Sequence, residues 1–313
     1  MIQTDLCRLL GIEYPVFQGG MAWVADARLA AAVSNAGGLG IVSAINTDTE
    51  AVRQEVRLCR RLTDKPFALN LMLMAPNADE IARLVVEEAV PIVTTGAGLP
   101  AKYMGAWLQA GVKVIPVVGA VATALRVERM GACAVVAEGC ESGGHVGEMN
   151  TMALVPQVVD ALHIPVVAAG GIADGRGLAA SLMLGAQGVQ CGTCFLVADE
   201  CGISDVYKEK VIRAHDSDTL VTGRSTGHPV RALKTPFTRK FAEMERAGNI
   251  AAEDILAFGT GSLRRAVREG DEQSGSFMAG QCAGLVHGRK PAAEIIRQMT
   301  AQAECLLGQY AKD

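Results

Sequence analysis

Residues 165–175 read Pro-Val-Val-Ala-Ala-Gly-Gly-Ile-Ala-Asp-Gly, and this stretch decides the fold. Its first part, Pro165–Ala168, is a short apolar run without alternation, which is typical of a parallel strand covered on both faces. Glycines follow at once, and they allow the backbone to turn sharply or to approach a ligand closely. The same arrangement recurs where the apolar run Gly188–Cys191 ends in Gly192 and Thr193. The repetition predicts parallel strands that end in glycine turns.

Six similar runs precede this stretch, at Tyr14–Gln18, Leu39–Ser43, Phe67–Leu73, Pro91–Thr94, Lys113–Val117 and Cys133–Ala137. The eight runs begin about 20 to 32 residues apart, which suits a strand, a helix and two loops per unit. Helical patterns such as Asp79–Glu88 and Pro100–Ala110 lie between them, and Gly111, Gly131 and Gly185 stand where helix caps are expected. Eight such units predict an α/β fold, a (β/α)8 TIM barrel. A doubly wound parallel sheet is the alternative.

The repeating pattern stops after the eighth run. Residues 200–270 carry few strand-like runs and many charges, and an apolar, glycine-rich stretch follows at Ser276–Val286. A helical pattern then covers Pro291–Leu307. We therefore predict a barrel of residues 1–199 and 271–313, with residues 200–270 inserted as a lid before the last barrel helix.

The bulk composition fits a protein with a sizeable core. Of the 313 residues 50% are apolar, and the net charge of −4 argues against a nucleic-acid partner. The sequence has no apolar stretch of the roughly 18 residues that span a bilayer and no signal-peptide pattern, so we expect no membrane partner and a cytoplasmic protein. Within Tyr207–Lys240, however, eight Lys or Arg stand against three Asp or Glu. This part is either a solvated surface or a dock for an acidic partner or a phosphorylated ligand.

Nine cysteines scattered through apolar segments indicate reduced thiols rather than a disulfide framework. One pair, Cys191 and Cys194, has C-x-x-C spacing. A zinc site would need a second pair or nearby histidines, which the local sequence lacks, so no metal site is expected. The pair is interpreted either as packing residues at the end of a buried strand or as a redox pair.

We expect the active site at the carboxyl ends of the strands, where barrel enzymes of this kind bind their ligands. Phosphate is frequently held by the loops after strands seven and eight, and here Gly170, Gly171 and Gly192 lie in those loops. Asn70 is an amide within an apolar run and needs hydrogen-bond partners. His145 follows the sixth strand among glycines and is the candidate for proton transfer, since imidazole titrates near neutral pH. A plain surface histidine is the alternative.

The sequence also lacks several motifs that are typical of other enzyme classes. No G-x-G-x-x-G follows a strand, which disfavours a dedicated nicotinamide site of the Rossmann type. H-E-x-x-H and G-x-S-x-G are also absent, which disfavours a zinc protease and an α/β-hydrolase. Of the other histidines, His228 lies in the predicted lid, within reach of a substrate.

The strand ends taken together resemble the nitronate monooxygenase-like flavoproteins. The resemblance runs from about residue 8 to 300 and rests on these segments: Gln18–Val24, Ala36–Gly40, Asp64–Phe67, Thr94–Gly98, Gly143–His145, Ala168–Ile172 and Phe277–Gln281. Within that group the string Gly-Gly-Met-Ala-Trp-Val and the later Gly-His-Pro-Val-Arg are most similar to the FMN-dependent enoyl-acyl-carrier-protein reductases. The shared glycine motifs do not separate these reductases from the monooxygenases.

The resemblance implies a role for each candidate residue. The FMN ring is expected against Gly20, Met21 and Ala22, with Asn70 at its polar edge and Glu138 also in the cofactor site. The FMN phosphate is expected at Gly170, Gly171, Gly192 and Thr193, and a cover over the ring at Met278, Gly280 and Gln281. His145 matches the active-site histidine of the family. Cys194 stands where the family often has an arginine, which puts one phosphate contact in doubt.

The activity that the resemblance implies is the reduction of trans-2-enoyl thioesters on acyl-carrier protein, with NADH or NADPH as hydride source. An acidic carrier would meet the basic lid residues, which are Lys208, Lys210, Arg231, Lys234, Arg239 and Lys240. A homodimer is also expected. One alternative is a nitronate monooxygenase with His145 as base, and a second is a flavin-binding protein without turnover.

Overall fold

The computed structural model describes residues 2–45 and 48–310 and shows a barrel of eight parallel strands. The barrel strands are β1 (Val16–Gln18), β2 (Gly40–Ser43), β3 (Phe67–Met72), β4 (Ile92–Gly96), β5 (Lys113–Val118), β6 (Val135–Glu138), β8 (Val166–Ala169) and β9 (Gly188–Cys191). Between them, β7 (Gly144–His145) belongs to a second, smaller sheet. All eight predicted runs are confirmed as strands.

The barrel closes between its first two strands. Gln18 N donates to Leu39 O at 3.0 Å, and Leu39 N donates to Val16 O at 2.9 Å. Around the rest of the ring β1 pairs with β9, β9 with β8, and β8 with β6. The TIM-barrel prediction is therefore confirmed, and the doubly wound sheet is excluded because an open sheet would leave β1 and β2 apart.

The strands are continuously apolar because both of their faces are buried. Ile41 and Ala68 belong to the cluster inside the barrel, whereas their neighbours Val42 and Leu69 belong to the cluster under the helices. Helix α1 (Asp5–Leu10) supplies three buried side chains to the inner cluster and covers the amino end of the barrel. A ligand can therefore enter the barrel only from the carboxyl ends of the strands.

The surrounding helices follow the strands in order. They are α2 (Ala27–Asn35), α3 (Thr49–Leu62), α4 (Ala78–Glu87), α5 (Ala101–Gln109), α6 (Val121–Arg129), α7 (Thr151–Ala161), α8 (Gly175–Met183) and the short α9 (Thr193–Leu196). The predicted cap glycines Gly111, Gly131 and Gly185 have φ of 75°, 97° and 91°, the left-handed conformation that ends a helix.

Residues 200–270 form what we call the inserted segment. It contains α10 (Asp205–Ile212), β10 (Thr219–Thr222), β11 (Val230–Leu233), α11 (Pro236–Ala247), α12 (Ala252–Gly259), α13 (Ser262–Arg264) and a π-helical turn at Arg265–Glu269. Phe237, Phe241 and Ile255 make a separate small core between its helices. Its function as a lid, and its limits at 200 and 270, stay predictions.

The chain returns to the barrel through a 3₁₀ turn (Gln281–Leu285) and α14 (Ala292–Tyr310). Helix α14 packs between α8 and α2, as the predicted closing helix must. No helix among residues 2–45 and 48–310 is both long and apolar enough to cross a membrane.

Candidate active site

A cavity of about 430 Å³ opens at the carboxyl ends of the strands. Twelve of the thirteen predicted site residues line it, namely Gly20, Met21, Ala22, Asn70, Glu138, His145, Gly170, Gly171, Gly192, Thr193, Met278 and Gly280. Gln281 does not reach this cavity. It is exposed and lines a neighbouring hollow, which shares Gly170, Gly171 and Cys282 with the cavity.

The floor of the cavity is bare backbone at Gly20. A Cβ at this position would lie 2.3 Å from Cβ of Asn70, so only glycine fits. Asn70 is buried, and its Nδ2 donates to Thr94 Oγ1 at 2.9 Å, which leaves its carbonyl oxygen available to a ligand. The predicted need of this amide for partners is thus met by the neighbouring strand.

One end of the cavity presents unpaired backbone donors. Gly170 and Gly171 have φ of 100° and 75°, and among the described residues no protein acceptor binds their N–H groups or that of Gly192. The lining residues include no Lys or Arg, and Cys194 is buried in the core instead. Unpaired N–H groups on glycine turns are suited to phosphate oxygens. A phosphate here would be held by backbone donors rather than by a side-chain cation.

The last barrel segment covers this end of the cavity. Gly280 N donates to Thr193 Oγ1 at 2.9 Å, and a Cβ on Gly280 would lie 2.8 Å from Glu141 O. Tyr207, which the sequence did not single out, donates from its hydroxyl to Met278 O at 2.6 Å and holds the methionine at the cavity wall. Bare floor, unpaired donors and an apolar cover together fit a flat cofactor that carries a phosphate, as FMN does.

Glu138 is a titratable side chain in the cavity wall. Burial raises the pKa of its carboxyl to about 7, and the nearby Ser142 hydroxyl lowers it in part. The Ser142 hydroxyl oxygen is itself buried, and no hydrogen bond of ordinary length joins it to a described residue. A carboxyl with this pKa can be protonated at neutral pH and can then donate a hydrogen bond to a ligand.

His145 lies at the mouth of the cavity, on a strand that the sequence did not predict. Its strand β7 pairs with β11 of the inserted segment, with Val230 opposite His145, and β11 pairs in turn with β10. Desolvation lowers the pKa of the His145 imidazole, and the nearby His228 lowers it further. His145 is therefore a neutral imidazole near pH 7, able both to donate and to accept a hydrogen bond.

The loop that leads to His145 is held by residues that sequence reasoning missed or misassigned. The Glu141 carboxylate accepts from Thr151 N at 3.1 and 3.0 Å and so caps α7. Arg231 donates to Cys140 O in the same loop at 3.1 Å. Lys208 donates to Ala198 O, outside this loop, at 2.6 Å. Arg231 and Lys208 are 8% and 5% exposed, so the prediction that these two cations meet a partner at the surface is wrong. Charge counting detected them, but it carries no information on burial.

The Cys191 and Cys194 side chains are both buried in the core, beside the end of the cavity that presents the unpaired backbone donors. The Cys191 pKa is raised well above its ordinary value by its hydrogen bond with Cys194 and by burial. A thiol with a raised pKa is a poor nucleophile. The structure thus favours the packing interpretation of this pair over the redox one.

Comparisons with known proteins agree with this geometry. Residues 3–302 match the sequence profile of the nitronate monooxygenase family. The solved structure of FabK from Thermotoga maritima is 48% identical, with a TM-score of 0.96 over 99% of this chain and 98% of that chain.

Two curated relatives carry other names. A probable nitronate monooxygenase from Staphylococcus saprophyticus is 35% identical over 91% of this chain and 93% of its own length. The (3aS,4S,5R,7aS)-5-hydroxy-7a-methyl-1-oxo-octahydro-1H-indene-4-carboxyl-CoA dehydrogenase of Mycobacterium tuberculosis is 39% identical over 80% of this chain and 72% of its own length. Since the profile covers nearly the whole chain, the protein belongs to the nitronate monooxygenase family and is a flavin-dependent oxidoreductase.

Proposed function

We propose that this protein is an FMN-dependent enoyl-acyl-carrier-protein reductase, which reduces trans-2-enoyl thioesters with NADH or NADPH. The observation that carries the proposal is the 48% identity and TM-score of 0.96 with FabK, an FMN-dependent enoyl-ACP reductase, against 35% identity with the probable nitronate monooxygenase. The name of the mycobacterial relative also contains a CoA thioester, which supports a thioester as the substrate class.

The cavity suits this chemistry. Bound FMN would accept a hydride from the nicotinamide and deliver it to Cβ of the enoyl thioester. Gly20, Met21 and Ala22 would lie against its ring, and Gly170, Gly171 and Gly192 would hold its phosphate through backbone N–H groups. Met278 would cover the ring from the side of the last barrel segment.

His145 is the one imidazole among the described residues that line the cavity. Negative charge develops on the thioester oxygen during hydride transfer, and a nearby N–H stabilises it. The Cα atom must also receive a proton. His145 serves one of these two tasks, and its neutral form can carry out the first without first being protonated.

Carrier docking rests on fewer cations than the sequence suggests. Lys234, Arg239 and Lys240 are exposed on the inserted segment, and Lys240 has Glu243 nearby. We propose that an acidic carrier meets this face, that the enzyme is a homodimer and that it acts in the cytoplasm. Reversal of Lys234 and Arg239 to Glu is expected to weaken turnover of the carrier-bound thioester more than that of the coenzyme-A thioester. Equal losses would argue against this face.

The decisive experiment is an anaerobic titration of the flavin-loaded protein. We expect NADH or NADPH to bleach the flavin absorbance and crotonyl thioester to restore it, whereas the saturated butyryl thioester restores nothing. Failure of both nucleotides to bleach the flavin, together with oxygen consumption on a nitronate, would instead support the monooxygenase activity that the curated relatives' names suggest.

A further inference from the structure

Arg231 is a buried cation that is held by neutral acceptors. Its Nε and Nη2 donate to Cys140 O at 3.3 and 3.1 Å, and its Nη1 donates to Thr219 Oγ1 at 3.0 Å. No carboxylate of the described residues forms a direct ion pair with it; the Glu141 carboxylate, which is engaged by Thr151, attracts it from beyond contact distance. A buried charge without a counter-ion in contact is costly, so packing alone is a poor reason for an arginine here.

The carbonyl that Arg231 binds controls the loop that carries His145. Residues 139–145 contain Gly139, Gly143 and Gly144, and a loop so rich in glycine has little conformational preference of its own. It leaves β6 with Gly139 N bound to Ala169 O and reaches β7 four residues after Cys140. Its course must therefore be fixed by contacts with other parts of the chain.

Arg231 provides such contacts from both its side chain and its strand. The guanidinium holds the start of the loop at Cys140, and the residue itself stands opposite Gly144 in the pairing of β11 with β7. Pro229 O also accepts from Val146 N at 3.1 Å, just beyond His145. Arg231 does not line the cavity, so any effect on the reaction must pass through the loop.

We propose that Arg231 is a positioning residue, which ties the His145 loop to the inserted segment and so places the imidazole for reaction. The inference deepens the proposed function and rests on it only for its kinetic readout. It assigns to the inserted segment a task besides its predicted function as a lid, because β11 carries Arg231 and pairs with β7, which carries His145.

The test is a double-mutant cycle of Arg231→Met with His145→Ala. We expect Arg231→Met to slow reoxidation of the reduced flavin by crotonyl thioester about ten- to a hundredfold, since small displacements of a reacting group have effects of this size. Bleaching by the nicotinamide and retention of FMN should stay as in the wild type. In the His145→Ala background the same change should cost little, because the residue through which it acts is gone.

Arg265 offers a matched control. Its Nε and Nη2 also donate to a single carbonyl, that of Ser274, at 3.3 and 3.2 Å, but this carbonyl lies outside the loop of residues 139–145. Arg265→Met should leave reoxidation unchanged even if it lowers stability. Arg231→Lys keeps the charge and one donor, and it should restore part of the rate. It also replaces Arg231→Met in the cycle if that variant does not fold.

A spectroscopic readout separates this inference from the proposed function. In the flavin-loaded protein the imidazole resonance of His145, assigned by its loss in His145→Ala, should shift or broaden in Arg231→Met and not in Arg265→Met. A wild type that reduces no enoyl thioester would refute the proposed function and leave this measurement decisive. An unchanged His145 resonance, or losses that multiply in the cycle, would refute the role of Arg231.

Discussion

The floor of the cavity and the inserted segment place their functional groups in opposite ways. The floor offers backbone atoms of Gly20, and the adjoining end of the cavity offers the backbone N–H groups of Gly170 and Gly192. All three residues are fixed by the ends of strands in a closed barrel, and we count them together as the floor below. The inserted segment acts through the pairing of β11 with β7 and through the side chain of Arg231. Its own core of Phe237, Phe241 and Ile255 is small.

The contrast corresponds to two separate functions in the site, which are cofactor binding and contact with substrates. A cofactor that stays bound through many turnovers needs rigid donors, and a closed barrel supplies them. Under the proposed function His145 meets substrates in turn, and it lies on β7, which pairs with β11 of the inserted segment. We therefore expect changes at the floor to remove the flavin, and changes at this junction to spare the flavin and slow the reaction.

The largest effect is expected from His145→Ala. Loss of the imidazole should lower the rate of flavin reoxidation by crotonyl thioester about 10²- to 10⁴-fold, the usual contribution of a group that transfers a proton. The flavin should remain bound, because the proposed phosphate donors are backbone N–H groups of Gly170, Gly171 and Gly192, which the substitution does not remove. Stopped-flow absorbance measures both half-reactions.

His163 is the matched control for this prediction. It is exposed at the amino end of the barrel, beside Glu128, and His163→Ala should change neither half-reaction. Unaltered turnover in His145→Ala would remove His145 from the mechanism. It would also contradict the assignment of substrate contact to the pairing of β7 with the inserted segment.

The second effect concerns the floor. In Gly20→Ala the added methyl would lie 2.3 Å from Cβ of Asn70, so the strand end or the amide must shift. Overpacking of this kind costs about 1–3 kcal/mol, which corresponds to roughly ten- to a hundredfold weaker flavin binding. Flavin absorbance retained after gel filtration, followed by titration of the apoprotein with FMN, measures the loss.

Gly105→Ala provides the comparison, because Gly105 lies on helix α5, where an added Cβ would meet no atom within 4 Å apart from the adjoining residues and the backbone of its own helix. That change should leave flavin binding intact. If Gly20→Ala binds FMN as the wild type does, the ring does not lie against this part of the backbone.

The barrel could be predicted from the sequence, because each of its strands is buried on both faces. Strands such as β2 and β3 contribute alternate residues to the inner and outer cores, so each appears as an unbroken apolar run. The glycine turn after β8 can be predicted for a similar reason, because the positive φ of Gly170 and Gly171 favours glycine there. Gly192 after β9 has a φ of −112°, so its backbone conformation does not itself require glycine.

The pairing of β7 with β11 could not be predicted, because it depends on contacts between residues that are distant in sequence. Strand β7 has only two residues, Gly144 and His145, and it is a strand only because β11 lies beside it. The charges of Arg231 and Lys208 were counted correctly, but nothing local distinguishes a buried cation from an exposed one. Gln281 was assigned to the flavin cover by resemblance, and its side chain lies outside the cavity.

The third effect is a pH dependence of the free energy of unfolding, and it arises from Glu138 in the cavity wall. Burial raises the pKa of Glu138 from an ordinary value of 4.5 to about 7, so the folded apoprotein binds more protons than the unfolded chain between these values. Its free energy of unfolding should therefore fall as the pH rises from 4.5 to 7, by at most about 3 kcal/mol.

Glu138→Gln isolates this contribution, since glutamine cannot ionise. Urea denaturation of the two apoproteins at pH 5 and pH 8 should show the variant gaining stability relative to the wild type at the higher pH. An equal difference at both pH values would mean that the Glu138 carboxyl titrates near its ordinary value.

The smallest effect is expected in the inserted segment, at the turn between β10 and β11. The Glu245 carboxylate on α11 accepts from Gly223 N at 2.9 Å, from Ser225 N at 3.0 Å and from Ser225 Oγ at 2.7 Å. Glu245→Ala removes these acceptors and should lower the local opening free energy of the hairpin by about 1–2 kcal/mol. Hydrogen exchange of residues 219–233 should quicken, and flavin binding should stay unchanged.

Glu243→Ala is the control for this change, since Glu243 lies on the same helix, is exposed and forms its one ion pair within the described part of the chain with Lys240, at 3.9 Å. It should leave the exchange of the hairpin as in the wild type. Because β11 pairs with β7, faster opening of the hairpin should reach His145 as a small decrease in the rate of reoxidation by the thioester. Faster exchange without any decrease would show that the His145 loop keeps its place when the hairpin opens, and that the junction is held from the barrel side alone.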